Sequence, residues 1–130
     1  MTPMQPRRPR LPLLTAVALC SLVPALASAT QPGADLYDQE CGDCHSLARP
    51  AKNKKGPSLI GIMDKPAASV PNFAYSEALR AAKIVWTADT MDAYIKNPRA
   101  VVAGGGKMKY DGLGNTAERA AIIEFLRLEK

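Results

Sequence analysis

Histidine is nearly absent: the 130-residue chain has one, His45. Cysteine is scarce, with Cys20, Cys41 and Cys44, and aromatic side chains make up 5%. A single histidine excludes bis-histidine iron and a distal histidine over a bound gas. With only two cysteines beside it, the chain also falls short of the paired Cys/His clusters of a structural zinc site. Few aromatics mean that side chains alone supply a thin core, because small domains bury a modest share of their surface. No run alternates apolar and polar residues as a half-buried strand does. No basic stripe is interleaved with aromatics, so nothing points to nucleic acid.

The charge is uneven. The chain carries 17 basic and 12 acidic residues, a net of +5. "MTPMQPRRPR" holds Arg7, Arg8 and Arg10 with no acid, and an uncharged apolar run follows, ending in Ala27-Ser28-Ala29. A basic start, an apolar stretch and a small-x-small site describe a secretory signal peptide. Residues 1–29 are therefore expected to be cleaved, leaving residues 30–130 as one domain. Pro12 and Pro24 break the apolar run, and a spanning helix needs roughly 20 apolar residues, so no stable membrane anchor is expected. Leu19 before Cys20 is too bulky for a lipoprotein site, and Pro9-Arg10-Leu11 suits twin-arginine export poorly. Without the leader the balance is 14 basic to 12 acidic side chains, +2, and only Cys41 and Cys44 remain.

"CGDCH", residues 41–45, allows three readings. Zinc lacks ligands: only a carboxylate could complete the set, and adjacent Cys44 and His45 would have to bend onto one tetrahedron. A redox dithiol belongs at a helix start just after a strand, whereas "GADLYDQEC" reads as helix. A structural disulfide would leave the histidine unexplained. The third reading is c-type haem attachment. Two thiols three positions apart on one helical turn each add to a porphyrin vinyl group, and the next residue offers an imidazole to the iron. This reading uses all three side chains, and one covalent haem c through Cys41 and Cys44 is expected.

The sixth iron position is then open to a methionine, a lysine, the amino terminus, water or nothing. Met63 follows "GPSLIGI" and suits loop packing. Met91 shares a helical face with Tyr94 and Ile95 by i, i+3, i+4 spacing, which suits a core role. Met108 lies in "GGGKMKYDG", where glycines permit unusual backbone angles and close approach to a flat ligand. His45 and Met108 are the expected metal ligands.

Elsewhere the pattern is helical. "NTAERAAIIEFLRLEK" has Asn115 as N-cap with Glu118 as reciprocal partner, and Ile122, Phe125 and Leu126 form its stripe. Leu36, Tyr37 and Cys41 face one side of the first helix. Ser76 and Thr87 can cap shorter helices, and Asn97-Pro98 reads as a cap with proline at N1.

"CGDCH", "GPSLIG", "NFAYSEA", "VW", "YIKNPR" and "KM", in this order, resemble the class I c-type cytochromes, mitochondrial-like and soluble bacterial, over residues 33–128. The resemblance implies an all-α fold with N- and C-terminal helices crossing at Gly33, Tyr37 and Phe125, wrapped around one haem. It implies that the Pro57 carbonyl accepts from the His45 ring and that Tyr75 and Trp86 donate to a haem propionate. Tyr94 would lie near the methionine sulfur, and Tyr110 would shield the haem edge. Lys65 stands where many relatives have arginine, Leu79 where many have asparagine, and the loop before Met108 is one residue longer than in the mitochondrial pattern.

A His/Met iron has no open position and cycles one electron with little change of geometry. The expected function is thus a non-enzymatic, monomeric, periplasmic electron carrier between a quinol-oxidising membrane complex and an oxidase, nitrogen-oxide reductase or reaction centre. The alternatives are a dedicated acceptor or subunit of a periplasmic dehydrogenase, or a five-coordinate haem sensor or peroxidase. Redox partners would dock transiently at the exposed haem edge, with Arg49, Lys52, Lys54, Lys55, Lys107 and Lys109 as the candidate ring.

Overall fold

Pro32 opens the first helix, at the turn where its missing N–H costs nothing. The computed structural model describes residues 32–130, so the expected signal peptide and its cleavage point lie outside the described residues. In chain order come α1 (Pro32–Glu40), α2 (Glu77–Ala81), α3 (Ala88–Lys96), α4 (Pro98–Val101), a 3-10 turn at Ala103–Gly105, and α5 (Thr116–Leu128). Among the described residues there is no strand, only an isolated bridge between Pro66 and Val85. The architecture is all-α, as expected for class I.

The caps form where the side chains demanded them. Ser76 accepts from the Leu79 amide, Thr87 from Thr90, and Asn97 from Ala100 with Pro98 at N1. Asn115 accepts from the amides of Ala117 and Glu118. The return bond from Glu118 does not form, so this cap is one-sided. The first helix is also shorter than the motif suggested. It ends at Glu40, and the attachment residues continue it as a turn.

The core lies where α1 crosses α5. Gly33 is buried at the crossing, and a Cβ there would meet the Ala121 carbonyl and stand 2.8 Å from Phe125 Cβ. Beside it the Tyr37 and Phe125 rings lie 5.6 Å apart, on Ile122 and Leu126, which are buried. All three expected crossing residues therefore meet. The helix α3 adds Met91, Tyr94 and Ile95 to the same core. Met91 thus has the packing role its spacing suggested.

One buried charge was not anticipated. Arg119, on α5, is 3% exposed. Its Nε donates to Asp92 Oδ1 of α3 at 2.7 Å, and its Nη1 to the carbonyls of Leu113 and Gly114 at 2.9 and 2.8 Å. A buried guanidinium is tolerated only when its donors are satisfied. Here that requirement ties α3, α5 and the loop end between them to one side chain.

Candidate haem site

Cys41, Cys44 and His45 occupy one backbone turn. The amides of Cys44 and His45 both donate to the Cys41 carbonyl, at 3.1 and 2.9 Å. The thiols are free, Cys41 half-buried and Cys44 exposed. Burial, with Glu40 and Cys44 nearby, pushes the Cys41 thiol up to about 12. Reactive redox dithiols depend on the opposite shift, so the switch reading loses its chemistry as well as its context.

His45 is held from behind. Its Nδ1 donates to the Pro57 carbonyl at 2.8 Å, which leaves Nε2 as the free lone pair. Burial pulls the imidazole below its ordinary value, partly opposed by the Pro57 bond, while the Lys54 charge lowers it further. Neutral imidazole is the form that ligates a metal. The Pro57 role implied by the resemblance is therefore in place.

The loop that delivers Pro57 is assembled by residues that sequence reasoning passed over. The Gly56 amide donates to the Cys44 carbonyl at 2.8 Å. A Cβ at Gly56 would stand 2.8 Å from His45 Nδ1 and 3.1 Å from Nε2, so glycine is needed for the ring to lie against the backbone. Asn53 accepts from the Ser58 amide at 2.9 Å and donates to the carbonyls of Pro71 and Asn72 at 3.1 and 3.2 Å. It joins the His45-supporting loop to the segment before Tyr75. An asparagine among lysines in "AKNKKG" carries no signal of this in one sequence.

On the other side, Trp86 and Tyr94 are buried with ring centroids 4.9 Å apart. No hydrogen bond within the described residues uses the Trp86 indole N–H or the Tyr94 hydroxyl, and burial alone raises the Tyr94 phenol. Tyr75 is half-buried. Its oxygen accepts from the Val70 amide at 3.3 Å, which keeps its proton available for a further acceptor. Leu59, Met63, Leu79, Met108 and Leu113 pack against the core yet stay only partly buried. Unclaimed donors beside half-covered apolar side chains fit a large apolar group with acidic edges. The residues present thus suit a haem.

Met108 follows a loop bent at Gly104 and Gly106, whose φ values of 71° and 61° suit glycine. Just before it, Lys107 Nζ donates to the Ala74 carbonyl at 2.7 Å. This alters the expected docking ring. Lys107 is engaged, Lys54 Nζ donates to the Gly42 carbonyl at 2.7 Å, and Arg49 pairs with Glu129 at 3.7 Å. Among the described residues, Lys52, Lys55 and Lys109 make no such bond. Tyr110, half-buried, donates its hydroxyl to Glu40. Lys65 is exposed, and Leu79 is apolar packing where a polar network was the alternative.

A family profile described as Cytochrome c matches residues 30–128. The chain belongs to the cytochrome c family. It is 37% identical over 95 residues to cytochrome c of Stellaria longipes, covering 73% of this chain and 87% of the relative. It is 35% identical over 97 residues to cytochrome c of Arabidopsis thaliana, covering 75% and 86%. A bacterial relative, cytochrome c2 of Rhodomicrobium vannielii, is 39% identical over 88 residues, covering 68% and 70%. As a cytochrome c the chain takes one covalent haem c, and Cys41 and Cys44 stand at the required spacing for it. Membership makes it an electron carrier that works with protein redox partners.

Proposed function

We propose that this cytochrome c is a soluble one-electron carrier of the periplasm, with His45 and Met108 as its two iron ligands. It would run between a quinol-oxidising membrane complex and a terminal acceptor. The observation that carries the ligand assignment is the His45 ring, neutral, anchored through Nδ1 to Pro57 and free at Nε2. Met108 is the methionine on a glycine-bent loop, while Met91 is spent on the core. The bound haem iron would supply a reversible one-electron change with a potential raised by Met/His ligation. The protein groups do the rest. The Pro57 bond fixes the ring's orientation and raises its basicity. Tyr75 and Trp86 would donate to the propionates, and Tyr94 would donate near the methionine sulfur. Apolar packing around them excludes water, so the site changes charge with little rearrangement.

The leader "MTPMQPRRPR…ASA" supports export, and cleavage after Ala29 is part of this reading. Lys52, Lys55 and Lys109, whose ammonium groups are unengaged among the described residues, are the cations offered to an acidic partner surface.

The test is the optical spectrum of protein matured in a bacterial periplasm. A c-type reduced spectrum, a weak far-red Met–iron band when oxidised, and no reaction with carbon monoxide are expected. A c-type spectrum without that band that shifts with carbon monoxide would replace the carrier with a five-coordinate sensor or peroxidase. Recovery of the protein in the cytoplasm with residues 1–29 intact would overturn the location.

A further inference from the structure

Beyond Met108 the loop is sparsely tethered. From Met108 to Gly112 two polar contacts hold it, among the described residues. One is the Arg99–Asp111 pair at 3.6 Å, exposed on both sides, and such pairs contribute little. The other is the Tyr110 hydroxyl, which donates to Glu40 Oε2 at 2.6 Å across 70 positions of sequence. Firmer anchors come only at the ends. Lys107 is tied to the Ala74 carbonyl, and the Leu113 amide donates to the Ile95 carbonyl at 3.0 Å.

The two ends of the Tyr110–Glu40 bond are telling. Glu40 is the last residue of α1 and immediately precedes Cys41. Its carboxylate therefore stands on the helix that runs into the haem-attachment turn. Tyr110 lies two residues past Met108, and its ring packs against the core while its hydroxyl reaches outward. A short bond between a hydroxyl and a carboxylate is of the stronger, charge-assisted kind. It joins the segment that carries the thioether cysteines to the segment that carries the sixth-ligand methionine.

We propose that Tyr110 and Glu40 form a strap that holds the Met108 loop closed against the attachment segment, making Tyr110 a positioning residue for the sixth ligand. The proposal rests on the His45/Met108 reading. It predicts that the strap sets how often the loop lifts and admits an outside ligand, while leaving the haem attachment itself untouched.

The experiment uses the haem-loaded full protein and Tyr110→Phe, Glu40→Ala, Glu40→Gln and the double variant Tyr110→Phe/Glu40→Ala. Imidazole binding to the oxidised protein, at saturating imidazole, reads the opening rate. Tyr110→Phe keeps the ring and removes only the donor, and is expected to open more than about tenfold faster, the factor of a net hydrogen bond to a charged group. Glu40→Ala should match it, and the double variant should be no faster than either single change, because both remove one contact. Glu40→Gln keeps an acceptor and should rise less. Singles that leave the rate unchanged, or a double variant in which the effects multiply, would overturn the strap. Hydrogen exchange at the amides of Lys109 to Asp111 separates this from the ligand assignment. If the unsubstituted protein lacks the Met–iron band, the ligand reading fails. Faster exchange in the variants would still support the strap as a loop tether, and unchanged exchange would overturn it.

Discussion

Replacing Gly56 with alanine tests the support behind His45, the proposed iron ligand, most directly. The new Cβ would stand 2.8 Å from His45 Nδ1 and 3.1 Å from Nε2, where ordinary van der Waals contact needs about 3.5–4 Å. With Cε1 nearer still, at 2.5 Å, either the ring or the backbone at residue 56 must retreat by about 1 Å. The backbone is pinned, since the Gly56 amide is bonded to Cys44 and the next residue supplies the Pro57 acceptor. The ring therefore moves, and its 2.8 Å bond to Pro57 stretches toward loss. Overpacking of this kind costs about 1–3 kcal/mol and the lost hydrogen bond about 1 kcal/mol more. Together they set an expected destabilisation of about 2–4 kcal/mol. The weakened bond also makes imidazole a poorer donor, which favours the reduced iron and raises the potential. The assays are guanidinium unfolding of the haem-loaded protein and redox titration. Gly61→Ala is the comparison, because its φ of 60° strains alanine while a Cβ there meets nothing within 4 Å. It should lose stability modestly, about 1 kcal/mol, with its potential unchanged. If Gly56→Ala keeps both its unfolding midpoint and its potential, the account of the His45 support is refuted.

Gly33→Ala should destabilise by about 1–3 kcal/mol through overpacking at the α1–α5 crossing, against the small gain alanine usually brings to a helix; an unfolding midpoint at or above the parent's would contradict that packing. Among the described residues the Tyr37 hydroxyl is buried without a partner, so Tyr37→Phe should stabilise by about 1 kcal/mol, and a fall in the midpoint would mean the hydroxyl is satisfied. For pH, burial sets the folded-state His45 value below 6.5. The unfolded chain then binds the proton more readily, so this contribution is full above about 6.5 and declines as the pH drops below it. Midpoints measured from pH 7.5 downward should fall, and a rise on mild acidification would be the opposite of the expected sign.

What could be read along the chain was chemistry carried by neighbours. The spacing in "CGDCH" needs only one helical turn to bring two thiols and an imidazole together, and local hydrogen bonds make that turn. The caps at Ser76, Thr87, Asn97 and Asn115 are likewise bonds within two or three residues. Helical periodicity placed Met91 in the core because a repeat of 3.6 residues leaves a trace in sequence. Pro57, Trp86 and Tyr94 were named through resemblance rather than spacing, and Pro57 has the partner that resemblance implied.

The tertiary structure decided everything that depends on distant partners. Gly56 is an ordinary turn glycine until a histidine ring 11 positions away lies on its backbone. Asn53 is one polar residue among lysines until Ser58 and the distant Pro71-Asn72 segment converge on it. Arg119 looks like a solvated helix cation, yet α3 and a loop end enclose it with matched acceptors. The docking lysines differ in the same way, since a side chain's being free or engaged depends on which carbonyl folds within its reach. By itself the sequence determined the cofactor, its attachment and the helical class, because those rest on residue type and short spacing. Only the fold decided how His45 is held, because that depends on contacts between segments far apart in the chain.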